Sequence, residues 1–219
     1  RTAAGARSSL VVAVGSVLLG VAVALPIGVL AAWRAGRFLD HALMRTLEVV
    51  QVVPPFVLVL LLLGLSGSGT VEVAGVGLSI TARLVLALAL AFVPFFARIT
   101  RAAAAAELES GYVEALRLVG VGEAELLGRE VLPNVLPVVG VQCFLALAIA
   151  VFAEGGLSYL GLGVAPPAPT LGNLVAEAGA QLLDDAWWFA LIPGLVLVAG
   201  IAGANLVGDA AVERLARGR

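Results

Sequence analysis

Few side chains in this sequence are equipped for covalent or metal chemistry. His41 and Cys143 are the only residues of their types, and they stand about a hundred residues apart, without metal-ligand spacing. All 13 basic residues are arginine. Without lysine the chain has no Schiff-base residue and cannot complete the G-x-x-x-x-G-K-[ST] loop that grips nucleotide phosphates. Any nucleotide hydrolysis that drives this chain must therefore reside on a second polypeptide. Two kinds of polar residue remain. Gln51, Gln142, Glu154 and Asn205 interrupt otherwise apolar runs, where a polar group is costly and is read first as functional. Residues 101–133 alternate acidic and basic side chains, a pattern suited to recognition rather than catalysis.

The elements that position these residues follow from composition. Of 219 residues, 61% are hydrophobic and 13% charged, and the mean hydropathy is +1.09. A soluble domain carries about 25% charged residues, and a disordered chain has high charge with low hydrophobicity, so both are excluded. One cysteine excludes an intrachain disulfide scaffold. A hydrocarbon core about 30 Å thick needs roughly 20 apolar residues in a helix. Five runs qualify, at about 10–33, 43–65, 80–99, 135–155 and 187–207, so the expected fold is an all-α integral membrane protein with the whole of 1–219 as one transmembrane domain. Pro26, Pro54-Pro55 and Pro94 fall inside these runs and predict kinks. Gly194, Gly200, Gly203 and Ala204 allow close helix approach in the fifth run, and Trp187-Trp188 anchor its start at an interface.

Arginine placement sets the orientation. Arg34, Arg37 and Arg45 lie between the first two runs; Arg98, Arg101, Arg117 and Arg129 lie between the third and fourth; Arg214, Arg217 and Arg219 follow the fifth. With five alternating helices these regions share one side, and the intervening loops 66–79 and 156–186 contain no arginine but hold Glu72, Glu177, Asp184 and Asp185. The positive-inside rule makes the arginine-rich side cytoplasmic, with the C-terminus inside and Arg1 outside. An outside Arg1 predicts one further helix before it and six spans in the complete subunit.

The segment 101–133, RAAAAAELESGYVEALRLVGVGEAELLGREVLP, is too polar to span and too helical for a slack linker. It reads as a short helix, a turn at 120–122, and a second helix ending before Pro133. Tyr112, Ala115, Leu116 and Val119 fall on one face of the first helix. Glu107, Glu109, Glu114, Glu123, Glu125 and Glu130 outnumber Arg98, Arg101, Arg117 and Arg129, so anionic lipid repels the segment and a groove in a partner protein suits it better.

Glu114-Ala115-Leu116, then Gly120, then Val131-Leu132-Pro133 resembles the EAA loop of permease subunits in binding-protein-dependent ABC importers. The text YVEALRLVGVGEAELLGREVLPNVLP, the block FAEGGLSYLGLGVAPPAPTLGNL at 152–174, and the ending with Asn205, Leu206, Gly208 and Asp209 are similar to the dipeptide, oligopeptide and nickel branch. Leu116 departs from the family's second alanine.

The resemblance implies a permease forming half of a translocation path for a small solute, with di- or oligopeptides ahead of nickel. It implies a multi-pass protein of the bacterial or archaeal cytoplasmic membrane, surrounded by lipid, that is not itself an enzyme. Its partners would be two ABC ATPase subunits that bind ATP and Mg, a second similar permease, and an extracytoplasmic substrate-binding protein; no nucleic acid and no cofactor of its own is expected. Carried over by position, Tyr112, Glu114, Ala115 and Leu116 meet the ATPase, Gly120 makes the turn of a coupling-helix pair, and Leu132-Pro133 open the fourth span. Gln51, Gln142, Glu154 and Asn205 are candidates for the path, and Glu154 also reads as a cap at the outer end of span four. The loop 156–186, stiffened by Pro166, Pro167 and Pro169 and followed by Asn173, faces the binding protein. The competing class, an ion-coupled transporter or channel, predicts intramembrane acid–base pairs or an inverted repeat, and neither is apparent.

Overall fold

Backbone polar groups in hydrocarbon must be satisfied within their own segment, which is why the apolar runs become helices. In the computed structural model, which describes residues 1–66, 71–73, 76–164, 168–179 and 187–217, the long helices are α1 (Thr2–Trp33), α4 (Ile80–Leu108), α7 (Leu132–Tyr159) and α9 (Trp188–Arg217). Each is long and apolar enough to cross a membrane. They outrun the apolar stretches read from sequence: α1 continues outward to Thr2, and α4 runs on through the alanine-rich 102–106 to Leu108, because alanine sustains a helix after hydrophobicity has ended.

The second span departs from the sequence reading. Instead of one kinked helix, α2 (Phe38–Val52) and α3 (Pro55–Ser66) meet at 80°. Pro54 and Pro55 supply no amide hydrogens, and each pushes its predecessor out of helical geometry, so the break follows from two adjacent prolines. A small antiparallel ribbon, β1 (Val71–Val73) with β2 (Val76–Leu78), pairs Val71 opposite Leu78 on the way to α4. Ser79 caps α4, its Oγ accepting from the Ala82 amide at 3.2 Å.

α4 forms the centre. Its residues Leu84, Leu88, Phe92, Phe96 and Ala97 are buried, and its longest packing seam is with α1, through Val12, Ala13, Val17 and Ala24. Small residues bring the pair close: a Cβ on Gly20 would lie 3.2 Å from the Ala89 carbonyl oxygen. α7 packs on α1 and α4, and α9 on α7. Arg1 pairs with Glu177 of α8 (Leu171–Gly179) at 3.2 Å, whereas Trp33, at the other end of α1, reaches Glu123. One end of the bundle therefore carries Arg1 with 168–179, and the other carries 34–40 with 101–133, as the alternation of spans requires.

Candidate functional site: the polar segment between α4 and α7

After α4 the chain turns at Glu109-Ser110 into α5 (Gly111–Leu118), passes Gly120, and resumes with α6 (Glu123–Glu125). A π-helical turn over Leu126–Val131 joins α6 to α7. The second helix thus does not stop before Pro133 but runs through it into the membrane. Pro133 sits in the first turn of α7, where a missing amide hydrogen costs little, and the wider π register absorbs the change.

Gly120 closes α5. Its amide donates to the Arg117 carbonyl at 3.1 Å, the Val121 amide donates to the Leu116 carbonyl at 3.1 Å, and its φ is +88°. These are the two bonds of a Schellman cap, which needs a left-handed residue. A Cβ there would meet nothing within 4 Å, so the demand for glycine is conformational rather than steric.

Two side-chain clasps hold α5. At its start, the Tyr112 hydroxyl donates to Glu107 Oε1 at 2.6 Å, while Asn134 Nδ2 donates to the same oxygen at 3.0 Å and to Tyr112 at 3.2 Å. One clasp therefore joins the ends of α4, α5 and α7. Burial and the Glu107 hydrogen bond push the Tyr112 phenol above its ordinary pKa. At the other end, Arg117 donates to both Glu123 oxygens, at 2.9 and 3.3 Å, and Trp33 Nε1 donates to Glu123 Oε2 at 3.0 Å. Arg117 holds the Glu123 carboxyl below the usual carboxylate range. Arg34 lies over the Trp33 ring, 4.1 Å from its centre. Beside this segment, Arg101 grips the buried Asp40 through two bonds of 2.6 Å, and Asp40 accepts a third from the Gly36 amide at 3.0 Å.

With α5 so fixed, Val113 is buried and Leu116 packs half-buried on the core, while Tyr112, Glu114, Ala115, Leu118 and Val119 face outward. The sequence reading placed Leu116 on the outer face. Val119, read on the same face, is 77% exposed, and beside it stands Leu118, which that reading did not include, at 83%. Leu132 is half-buried and Pro133 exposed. The sequence reading also missed Trp33, Asn134 and the special role of Glu123, since a glutamate among six and a tryptophan 90 residues away carry no local signal of contact.

The four polar residues of the apolar runs are not brought together. Gln51 and Asn205 are exposed, Gln142 is half-buried, and Glu154 is fully buried. Glu154 is not a helix cap, because α7 continues past it to Tyr159. Ser158, one turn on, donates to Glu154 Oε1 at 2.6 Å, beneath α8.

The loop read as stiff contains a helix, α8, which sequence reasoning missed. Asn173 does not point outward; its Nδ2 donates to the Val164 carbonyl at 2.6 Å, and its amide donates to Thr170 Oγ1 at 3.2 Å. The Leu171 amide donates to Ser9 of α1 at 3.2 Å. A Cβ on Gly172 would run into the Gly155 carbonyl and come within 2.8 Å of Ser158 Cβ, so only glycine lets α8 lie this close on α7. Pro169 is half-buried; Pro166, Pro167, Asp184, Asp185 and Arg219 lie outside the described residues.

The chain is similar to known proteins in sequence and in fold. A putative peptide transport system permease protein of Brucella suis is 34% identical over 205 residues, covering 94% of this chain and 64% of the relative. The di/tripeptide transport system permease protein DppC of Pseudomonas aeruginosa is 32% identical, with 94% and 63% covered. The chain thus spans a little under two thirds of the length of these curated relatives. Among solved structures, an inward-facing MetNI methionine ABC transporter superposes with a TM-score of 0.74 at 19% identity, covering 96% of this chain and 94% of that one, a match of fold. Residues 24–219 match the family described as binding-protein-dependent transport system inner membrane component, and the chain belongs to that family.

Proposed function

We propose that this chain is the permease subunit of an ABC importer, forming half of a path for di- or oligopeptides across a bacterial inner membrane. ATP and Mg are bound by two separate ATPase subunits, a second permease supplies the other half, and an extracytoplasmic binding protein delivers cargo. The observation that carries this reading is α5: a short helix clasped at both ends to the spans, yet presenting Tyr112, Glu114, Ala115, Leu118 and Val119 to the outside. A helix anchored that firmly has its outer face free for a groove in another protein. When the ATPase pair closes on ATP, the groove shifts α5, and the shift switches the spans between inward and outward opening. Peptide cargo is supported by the names of the relatives. A cytoplasmic C-terminus is supported by Arg214 and Arg217 at the end of α9, on the reading that arginine-rich ends stay inside.

Gln142 is the pathway candidate best placed in this arrangement, being half-buried on α7 rather than sealed like Glu154. The contact with the binding protein is assigned to the exposed surface around α8 and the prolines that precede it.

The reading is tested by Leu118→Glu and Glu114→Arg in the complex reconstituted into vesicles. Both side chains are exposed, so thermal stability stays within about 0.5 kcal/mol. Leu118→Glu is expected to abolish co-purification of the ATPase subunits, and Glu114→Arg to uncouple ATP hydrolysis from uptake. Normal uptake in both variants would overturn the assignment, and uptake driven by a proton or sodium gradient without ATP would replace it with a secondary transporter.

A further inference from the structure

Covalent connection ties α5 to α4 and α7 only. The structure adds a side-chain attachment to α1, made through Glu123 of α6. α1 is pinned against α4 at Gly28, where a Cβ would press on Ala97 and Thr100. Beyond that pin the last turn of α1 runs to Trp33, the final residue of the helix. Between this end and the α6 to α7 junction lies a cavity of about 440 Å³, with Leu25, Pro26 and Val29 on one wall and Ala124, Leu127 and Gly128 on the other. α1 packs on α4 and α7 elsewhere, but at this cavity its wall stands apart from α6 and the π-helical turn. At its rim the Trp33 indole N–H reaches Glu123 Oε2 at 3.0 Å, and Glu123 is in turn held from α5 by Arg117.

From this arrangement we infer that Trp33 and Glu123 form a strut that carries displacement of α5 into α1; both are positioning residues, and the inference rests on the coupling role proposed for α5. The geometry separates strut from scaffold. A rigid link across a packed interface adds little to transmission, because packing already moves both sides together. Across the apolar gap the hydrogen bond from Trp33 to a charged acceptor supplies a link that packing does not provide at that point. Pro26 lies seven positions before Trp33 and leaves the Ala22 carbonyl without its helical amide donor, although Ala31 and Ala32 keep the last turn of α1 packed on the core.

The test measures ATP hydrolysed and labelled trialanine taken up in the same vesicles, holding the complete complex. Trp33→Phe keeps an aromatic ring beside Arg34 and removes only the indole N–H. It is expected to leave ATP hydrolysis within about twofold of wild type while uptake per ATP falls about fivefold, the lower end of measured couplings between sites. Glu123→Gln offers one acceptor oxygen where Arg117 and Trp33 use two, and it carries no charge, so it is expected to lower the ratio as well. Glu123→Ala loses as much as Trp33→Phe, and the double variant loses no more than either, as required of one shared link. A wild-type ratio in Trp33→Phe, additive losses in the double variant, or an uptake loss that tracks lowered thermal stability each overturns the strut. Wild-type vesicles without ATP-driven uptake would instead sink the importer reading, a result visible before any variant is compared.

Discussion

The two ends of the bundle are fastened by different physics. On the side of 101–133, carboxylates and amide, hydroxyl, indole and guanidinium donors hold α5 in place, through Glu107, Tyr112, Asn134, Arg117, Glu123 and Trp33. On the side of α8 an exposed ion pair, Arg1–Glu177, accompanies close backbone contact: Gly172 against the Gly155 carbonyl, Gly163 against Ser158, the Leu171 amide on Ser9, and Asn173 on the Val164 carbonyl. The side-chain clasps join α5 to α4, α7 and α1 so that they move together, whereas close backbone contact at α8 leaves little room for displacement. The molecule thus has one end built to shift as a unit and one end built to resist.

Breaking that contrast begins with the steric end. Gly172→Val is expected to destabilise the protein by about 3 kcal/mol, since the new side chain has no room against α7. Thermal unfolding in detergent measures it, and a silent Gly172→Val would show that α8 is loosely held. The matched change at the other end, Gly120→Val, meets no neighbour and costs only the left-handed backbone, about 1–2 kcal/mol. Its unfolding midpoint should therefore lie between those of wild type and Gly172→Val. Tyr112→Phe and Asn134→Ala each remove a bond to Glu107 and cost about 1 kcal/mol. Because they share that carboxylate, the double variant should cost less than the sum, which a double-mutant cycle reads directly. The smallest effect needs no mutation: raising salt should speed amide hydrogen exchange in α5 by weakening Arg117–Glu123 by a few tenths of a kcal/mol.

Much of this contrast was out of reach of the sequence, for a reason visible at particular residues. Hydropathy finds spans, and α1, α4, α7 and α9 were legible as long apolar runs. The turn at Gly120 was legible because glycine between two polar helices marks a cap. Pro54-Pro55 signalled a kink, yet its angle of 80° depends on what packs around it. Polarity, however, records only that a residue tolerates water. Glu123 therefore looked like its neighbours Glu125 and Glu130 until folding brought Trp33 to it. Leu116 looked outward because the helical period fixes which residues share a face and not which way that face turns. Asn173 looked like surface because its partner is a backbone carbonyl, which every residue possesses.

The break between α2 and α3 has a consequence for hydration. Its two arms contain 15 and 12 residues, about 22 and 18 Å of helix at 1.5 Å per residue, so neither crosses a core about 30 Å thick by itself. In a continued helix the carbonyls of Val50 and Gln51 would be met by the amides of positions 54 and 55, which as prolines have none. Acyl chains offer no hydrogens to bind them. Wherever such carbonyls lie within hydrocarbon, water or a neighbouring chain must bind them.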